Sequence, residues 1–319
     1  MVPDSGNRPG PAGSNAAIWA PLRRYIAAER RLGRRMAARP VTAALYEFLR
    51  FGIKQGWACL FGGIMTALLL ATHFLYPQGT PLARYDFLFL AALGVQVTLL
   101  RLRMETLEEA LVIALYHVIG TAMELFKTGI GAWTYPEPSF FHIAGVPLFS
   151  GFMYASIGSY IARAWRLFDF RFTHHPPVWA LLLASTAIYA NFFTHRYWPD
   201  LRLALFAMVG LLLFRTRVHF RNWRSRRSMP LLLGLLLVAL FIWFAENIGT
   251  FSAVWLYPHQ HAGWSMVALP KLGSWFLLVV VSYALVAMVN RPADLRVSRV
   301  TSGLPEGIAR LPEPADRTR

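Results

Sequence analysis

Residues 231–258 read LLLGLLLVALFIWFAENIGTFSAVWLYP. The fifteen residues from Leu231 to Ala245 carry no ionisable side chain. In hydrocarbon such a run must satisfy its backbone polar groups internally, so it predicts a membrane helix. The run stops at Glu246, where a second pattern begins: Glu246-x3-Thr250-x4-Trp255-x-Tyr257-Pro258. The same pattern stands earlier as Glu124-x3-Thr128-x4-Trp133-x-Tyr135-Pro136, at an offset of 122 residues. That offset also places Thr72-His73 on Thr194-His195 and Pro77 on Pro199. Trp and Tyr are uncommon residues, and agreement at one offset in two separate segments predicts an internal duplication.

Working outward, the 319 residues are 56% hydrophobic, 14% aromatic and 15% charged, with a mean hydropathy of +0.41. This composition excludes ordinary soluble domains. Eight apolar runs suggest spans at roughly 55–74, 86–101, 107–127, 145–165, 178–195, 200–215, 229–247 and 267–289. With the N-terminus in the cytoplasm, 27 of the 32 basic residues fall inside. Arg84, Lys127, Arg196, Arg202 and Lys271 fall outside. Basic residues resist translocation, so this split predicts a multi-pass protein of the bacterial inner (plasma) membrane with both termini cytoplasmic. The net charge of +16 is then a topology signal rather than a nucleic-acid surface. Cys59 is the one cysteine, which excludes a disulfide framework and a thiol pair.

The expected fold class is all-α. It is a polytopic bundle of about eight transmembrane helices in two tandem, parallel four-helix repeats, because an even number of spans gives both halves the same orientation. The divisions are a disordered lead and basic interfacial helix (1–40), a first repeat (41–167), a second repeat (168–290) and a disordered C-terminal tail (291–319). All motif residues then face the outer side.

Glu124 and Glu246 are the candidate catalytic residues. A carboxylate near the end of an apolar helix is costly toward lipid and is expected to face the bundle interior. It either does acid–base work or hydrogen-bonds the following loop. Lys127 lies three residues beyond Glu124, whereas Glu246 is followed by Asn247 and Gly249, so the copies are not equivalent. Trp133, Tyr135, Trp255 and Tyr257, with His73 and His195, are candidate substrate-binding residues. Interfacial anchoring competes as the reading of the aromatics, together with Phe140, Phe141 and Trp264. Two histidines and two carboxylates would also suit a metal, but no His-x-x-His or Glu-x-x-His pair accompanies them, so no metal is assigned. His174-His175, His259 and His261 are expected in solvated loops. Gly151, Ala155 and Ser159 predict close helix approach.

From about Phe51 to Pro292, and most clearly from Glu124 through Gly145-Val146-Pro147 to Gly151, the chain resembles a group of bacterial integral membrane proteins, the YoaT-like family of domain of unknown function 817. That family brings no established activity. Thr128-Gly129, Gly131-x-Trp133-x-Tyr135 and Gly145-Val146-Pro147 also resemble membrane carotenoid-biosynthesis proteins that hydrate or cyclise polyene ends; Thr250-Phe251 and Ala268-Leu269-Pro270 depart from that pattern. The leading expectation is an enzyme on an isoprenoid or lipid-like substrate, using glutamate acid–base chemistry at the outer side. The alternatives are a non-catalytic scaffold or partner-binding subunit and a proton-coupled transporter. Membrane lipid and a hydrophobic small molecule are the expected partners, without nucleic acid. No residue pattern specifies a cofactor or an oligomeric state.

Overall fold

A computed structural model describes residues 28, 31, 40–77, 79–195, 197–223 and 226–295. The lead, most of the expected interfacial helix and the tail from residue 296 lie outside the described residues. The chain is mostly helical: α1 (Pro40–Ala58), α2 (Leu60–Leu75), α3 (Arg84–Arg101), α4 (Leu107–Gly129), α5 (Phe149–Phe168), α6 (Val178–Thr194), α7 (Arg202–Leu213), α8 (Leu231–Phe251) and α9 (Pro270–Asn290). Each of the eight apolar runs thus contains a helix, from α2 to α9. Three segments are long and apolar enough to cross a membrane: Glu109–Gly129, Leu231–Phe251 and Pro270–Asn290. A fourth is added if α1 and α2, bent by 71° at Cys59, count as one broken span.

Strands also occur. An antiparallel ribbon pairs β1 (His142–Ile143) with β2 (Val146–Pro147). A three-stranded antiparallel sheet orders β3 (Arg171–Thr173), β4 (Arg217–Arg221) and β5 (Arg226–Pro230) side by side. The purely helical expectation overlooked these because the strands are short and those of the larger sheet are rich in arginine. Period-two alternation in Arg217-Val218-His219-Phe220-Arg221 was the available signal.

The chain divides into two compact units. The first comprises residues up to Ala164 together with Phe244–Val267. Its core gathers Leu69 of α2, Tyr85 and Leu88 of α3, Phe149 of α5 and Val254. On α2, Phe61, Met65, Leu69 and Thr72 are buried at helical spacing, while Leu70, Phe74 and Leu75 remain exposed. An apolar exposed face of this kind suits lipid rather than water. The start of α4 is set by Thr106 and Glu109, which form a reciprocal capping box. Against α4, α5 approaches closely: a Cβ on Gly151 would lie 2.5 Å from His117 Nδ1 and 2.7 Å from the His117 carbonyl oxygen. Ala155 and Ser159, one and two turns on, are fully buried, consistent with the small-residue stripe.

The second unit comprises Trp165–Trp243 and the chain from Ala268. There α6 packs against α9. The turn into α7 is closed by Asn191, whose side chain accepts from the Leu201 N–H at 2.9 Å. His175, expected in a solvated loop, is instead half-buried. Its Nδ1 lies 2.6 Å from the Pro176 carbonyl and its Nε2 2.8 Å from the Tyr283 hydroxyl. A carbonyl only accepts, so Nδ1 carries the proton and Nε2 accepts from the phenol.

Candidate functional site

Both motifs lie in the first unit, and both terminate their helices in the same way. The N–H groups of Ile130, Gly131 and Ala132 bond back to the carbonyls of Phe126, Thr128 and Lys127. At the equivalent positions Ser252, Ala253 and Val254 bond back to Ile248, Thr250 and Gly249. Gly131 and Ala253 take the left-handed conformation, with φ of 71° and 50°. This is the usual way to absorb orphan carbonyls at a helix C-terminus. Beyond these turns the two chains meet. Thr134 and Leu256 exchange both backbone hydrogen bonds at 2.9 Å in an antiparallel bridge.

The turns bring each tyrosine back onto its glutamate. Glu124 Oε2 accepts from Trp133 Nε1 and from the Tyr135 hydroxyl, both at 2.7 Å. Tyr154 of α5 donates to Glu124 Oε1, also at 2.7 Å. Glu246 Oε1 accepts from the Tyr257 hydroxyl. Trp255 does not repeat the role of Trp133: its ring lies against Gly249, where a Cβ would come within 2.2 Å of it. The two glutamates are linked through rings, since Trp133 and Tyr257 meet edge to face with centroids 6.1 Å apart. Glu124 and Glu246 are buried, each with 4% exposure. Tyr135 and Tyr257 sit beyond the helix ends. Burial first, and then the charge of Glu124 or Glu246, pushes each phenol well above the usual tyrosine range. At neutral pH both are therefore neutral and act as donors.

The histidines part ways. His73 Nδ1 donates to the Ser252 carbonyl at 3.2 Å, and its ring packs 5.5 Å from Phe251, so it braces the second motif. His195 belongs to the second unit. Its Nδ1 bonds the Asn191 and Phe192 carbonyls at 3.1 and 3.0 Å, closing its own helix end. Among the described residues no group of three or more His, Cys, Asp or Glu is placed to hold a metal ion. Lys127 is buried, with its ammonium 5.7 Å from the Phe126 ring.

Residues 47–283 match the family described as "Protein of unknown function (DUF817)". The chain belongs to the DUF817 family. It is 41% identical over 248 residues to "Uncharacterized protein YoaT" of Bacillus subtilis (strain 168), covering 78% of this chain and 93% of that relative. No solved structure matches the chain.

The DUF817 match takes in positioning residues that motif reading passed over. Arg84 forms an ion pair with Glu137 at 2.7 Å and donates to the carbonyls of Ser252 and Ala253 at 3.1 and 3.2 Å. One guanidinium thereby ties the loop after the first motif to the turn of the second. Topology counting had placed Arg84 among outer-side charges. Tyr85 adds a hydrogen bond to the Val254 carbonyl at 2.7 Å. Asp86 accepts from Ser139 Oγ and from the N–H groups of Phe140 and Phe141, which fixes the loop leaving Tyr135. Tyr154 escaped notice because its counterpart at the 122-residue offset is Phe276. The sequence signal for Arg84 was a charge at the mouth of an apolar helix, which requires a partner.

Proposed function

We propose that this DUF817 protein is a polytopic protein of the bacterial inner membrane whose duplicated Glu–Tyr pairs form one acid–base centre. In this reading eight helices form two tandem, parallel repeats with both termini cytoplasmic. The antiparallel bridge between Thr134 and Leu256, equivalent motif positions, supports it, since a local two-fold axis pairs equivalent residues in that way. The substrate is an isoprenoid or other long apolar molecule entering from the bilayer. Glu124 or Glu246 exchanges a proton with it, while the surrounding rings steady developing positive charge. The observation that carries the proposal is the linkage of both glutamates through the Trp133–Tyr257 contact. Trp133 bonds Glu124 whereas Trp255 packs on Gly249, so the two carboxyl groups have different surroundings, as separate acid and base roles require. The resemblance of Gly131-x-Trp133-x-Tyr135 to polyene-modifying membrane proteins points to the same substrate class.

The test compares lipid extracts, by mass spectrometry, from cells expressing the wild type, Glu124→Gln and Glu246→Gln. Loss of the product in both variants, with membrane insertion intact, is expected. Normal product in both overturns the proposal. A scaffold reading is favoured by the 4% exposure of both carboxylates. It predicts that the same substitutions lower thermal stability without altering any lipid species.

A further inference from the structure

The register of the three-stranded sheet gathers four arginines on one face. Successive residues of a strand point to opposite faces. Arg217, His219 and Arg221 of β4 therefore share a face with Arg171 and Thr173 of β3 and with Arg226 and Ser228 of β5. Phe172, Val218, Phe220 and Met229 take the other face, together with Arg227 at the hairpin end. The apolar part of that second face turns inward: Phe172 and Val218 are buried, and Phe220 meets Phe168 edge-on at 6.1 Å, while Arg227 at its edge is exposed. On the first face Arg217, Arg221 and Ser228 are exposed.

Four guanidinium groups thus lie on one small surface, with Arg221 directly opposite Arg226. Like charges placed opposite one another destabilise a strand pair. Asp169 bonds Arg226 and lies 3.3 Å from Arg171, so a single carboxylate is shared by two of the four guanidinium groups. The sheet also sits at the edge of apolar segments. Strand β5 runs directly into α8 at Leu231, the start of a 21-residue segment able to cross a membrane. Helix α7 ends at Leu213, just before β4. The abundant anions at such a boundary are phosphodiesters, and planar guanidinium forks match their oxygens.

We propose that the Arg171–Arg217–Arg221–Arg226 face of the sheet docks the headgroups of anionic phospholipids in the leaflet beside it. The proposal rests on the membrane-spanning reading of α8 and is independent of the glutamate centre. The test uses the full chain in nanodiscs of phosphatidylcholine alone or with phosphatidylglycerol, with peptide mass spectrometry after arginine modification by phenylglyoxal. Phosphatidylglycerol is expected to slow modification of Arg217 and Arg221 at least fivefold, and salt to restore it. Inorganic phosphate at equal concentration is expected to leave the rate unchanged. In detergent, added phosphatidylglycerol is expected to raise the melting temperature of the wild type and of Glu124→Gln, but not of Arg217→Gln/Arg221→Gln. Equal modification rates in both nanodiscs overturn the proposal, even if the double variant does not fold. Equal protection by inorganic phosphate overturns the lipid assignment.

Discussion

Thr134 and Leu256 occupy the same position in the two copies of the Glu-x3-Thr-x4-Trp-x-Tyr-Pro pattern, and they pair with each other. Each donates its N–H to the other's carbonyl at 2.9 Å. Cα atoms of such a hydrogen-bonded pair stand about 5.5 Å apart, within disulfide range. Thr134→Cys/Leu256→Cys, in a Cys59→Ser background, is expected to crosslink within the chain under mild oxidation. Mass analysis of linked peptides checks it.

Tyr154 donates its hydroxyl hydrogen bond to Glu124, whereas the residue at the 122-residue offset is Phe276, which carries no hydroxyl. Tyr154→Phe leaves the ring packing in place and removes one hydrogen bond, at a cost of about 1–3 kcal/mol. A lower melting temperature in detergent is expected, with normal membrane insertion. An unchanged melting temperature would show that this bond contributes nothing to the fold.

At Gly151 a methyl group would press on the backbone of α4 through the His117 carbonyl oxygen, which cannot move without disturbing the helix. Gly151→Ala is expected to destabilise by about 1–3 kcal/mol, the usual range for overpacking. Gly210, with open space around its Cβ position, is the control: Gly210→Ala is expected to melt no lower than the wild type.

Arg163 and Glu105 form an ion pair at 3.0 Å with neither side chain exposed, and Gln96 adds a hydrogen bond to Glu105 at 2.5 Å. Removing one partner leaves the other charge buried, at a cost of about 3–5 kcal/mol. Arg163→Met is therefore expected to be severely unstable. Arg163→Met with Glu105→Leu is expected to recover much of the loss, which a double-mutant cycle of melting temperatures measures.

Burial holds His175 below its ordinary value of 6.5, despite the opposing hydrogen bond to Pro176. The folded state thus resists protonation more than the unfolded chain does. The sign follows: stability is complete above the unfolded value and is lost as pH falls through the folded one. His175→Gln is expected to flatten the acid side of the melting-temperature profile. Equal slopes below neutral pH would exclude this histidine as the cause.

The helical segments α2 to α9 were legible because each coincides with an apolar run, and in the three longest the backbone of a bilayer-length run has no other way to satisfy itself. The paired motifs were legible too, because Glu, Trp and Tyr recur at one offset through local spacing alone. Even the Glu–Tyr contacts follow from that spacing, since a left-handed turn at Gly131 or Ala253 reverses the chain onto its own helix.

By itself, then, the sequence determined which segments are apolar helices, which family the chain resembles and which residues form the two motifs. Tertiary structure decided that the motifs pair, that Trp133 bonds its glutamate while Trp255 packs on Gly249, and that His73 and His195 fall in different units. It also decided that Arg84 and Arg163, which read as topology charges, are buried partners, and that Arg217, Arg221, Arg226 and Arg227 lie in paired strands. The physical reason is range. Hydrophobic length and turn chemistry act between neighbours, whereas the pairing of a buried charge depends on groups far away in the chain that only the finished packing brings within hydrogen-bond reach.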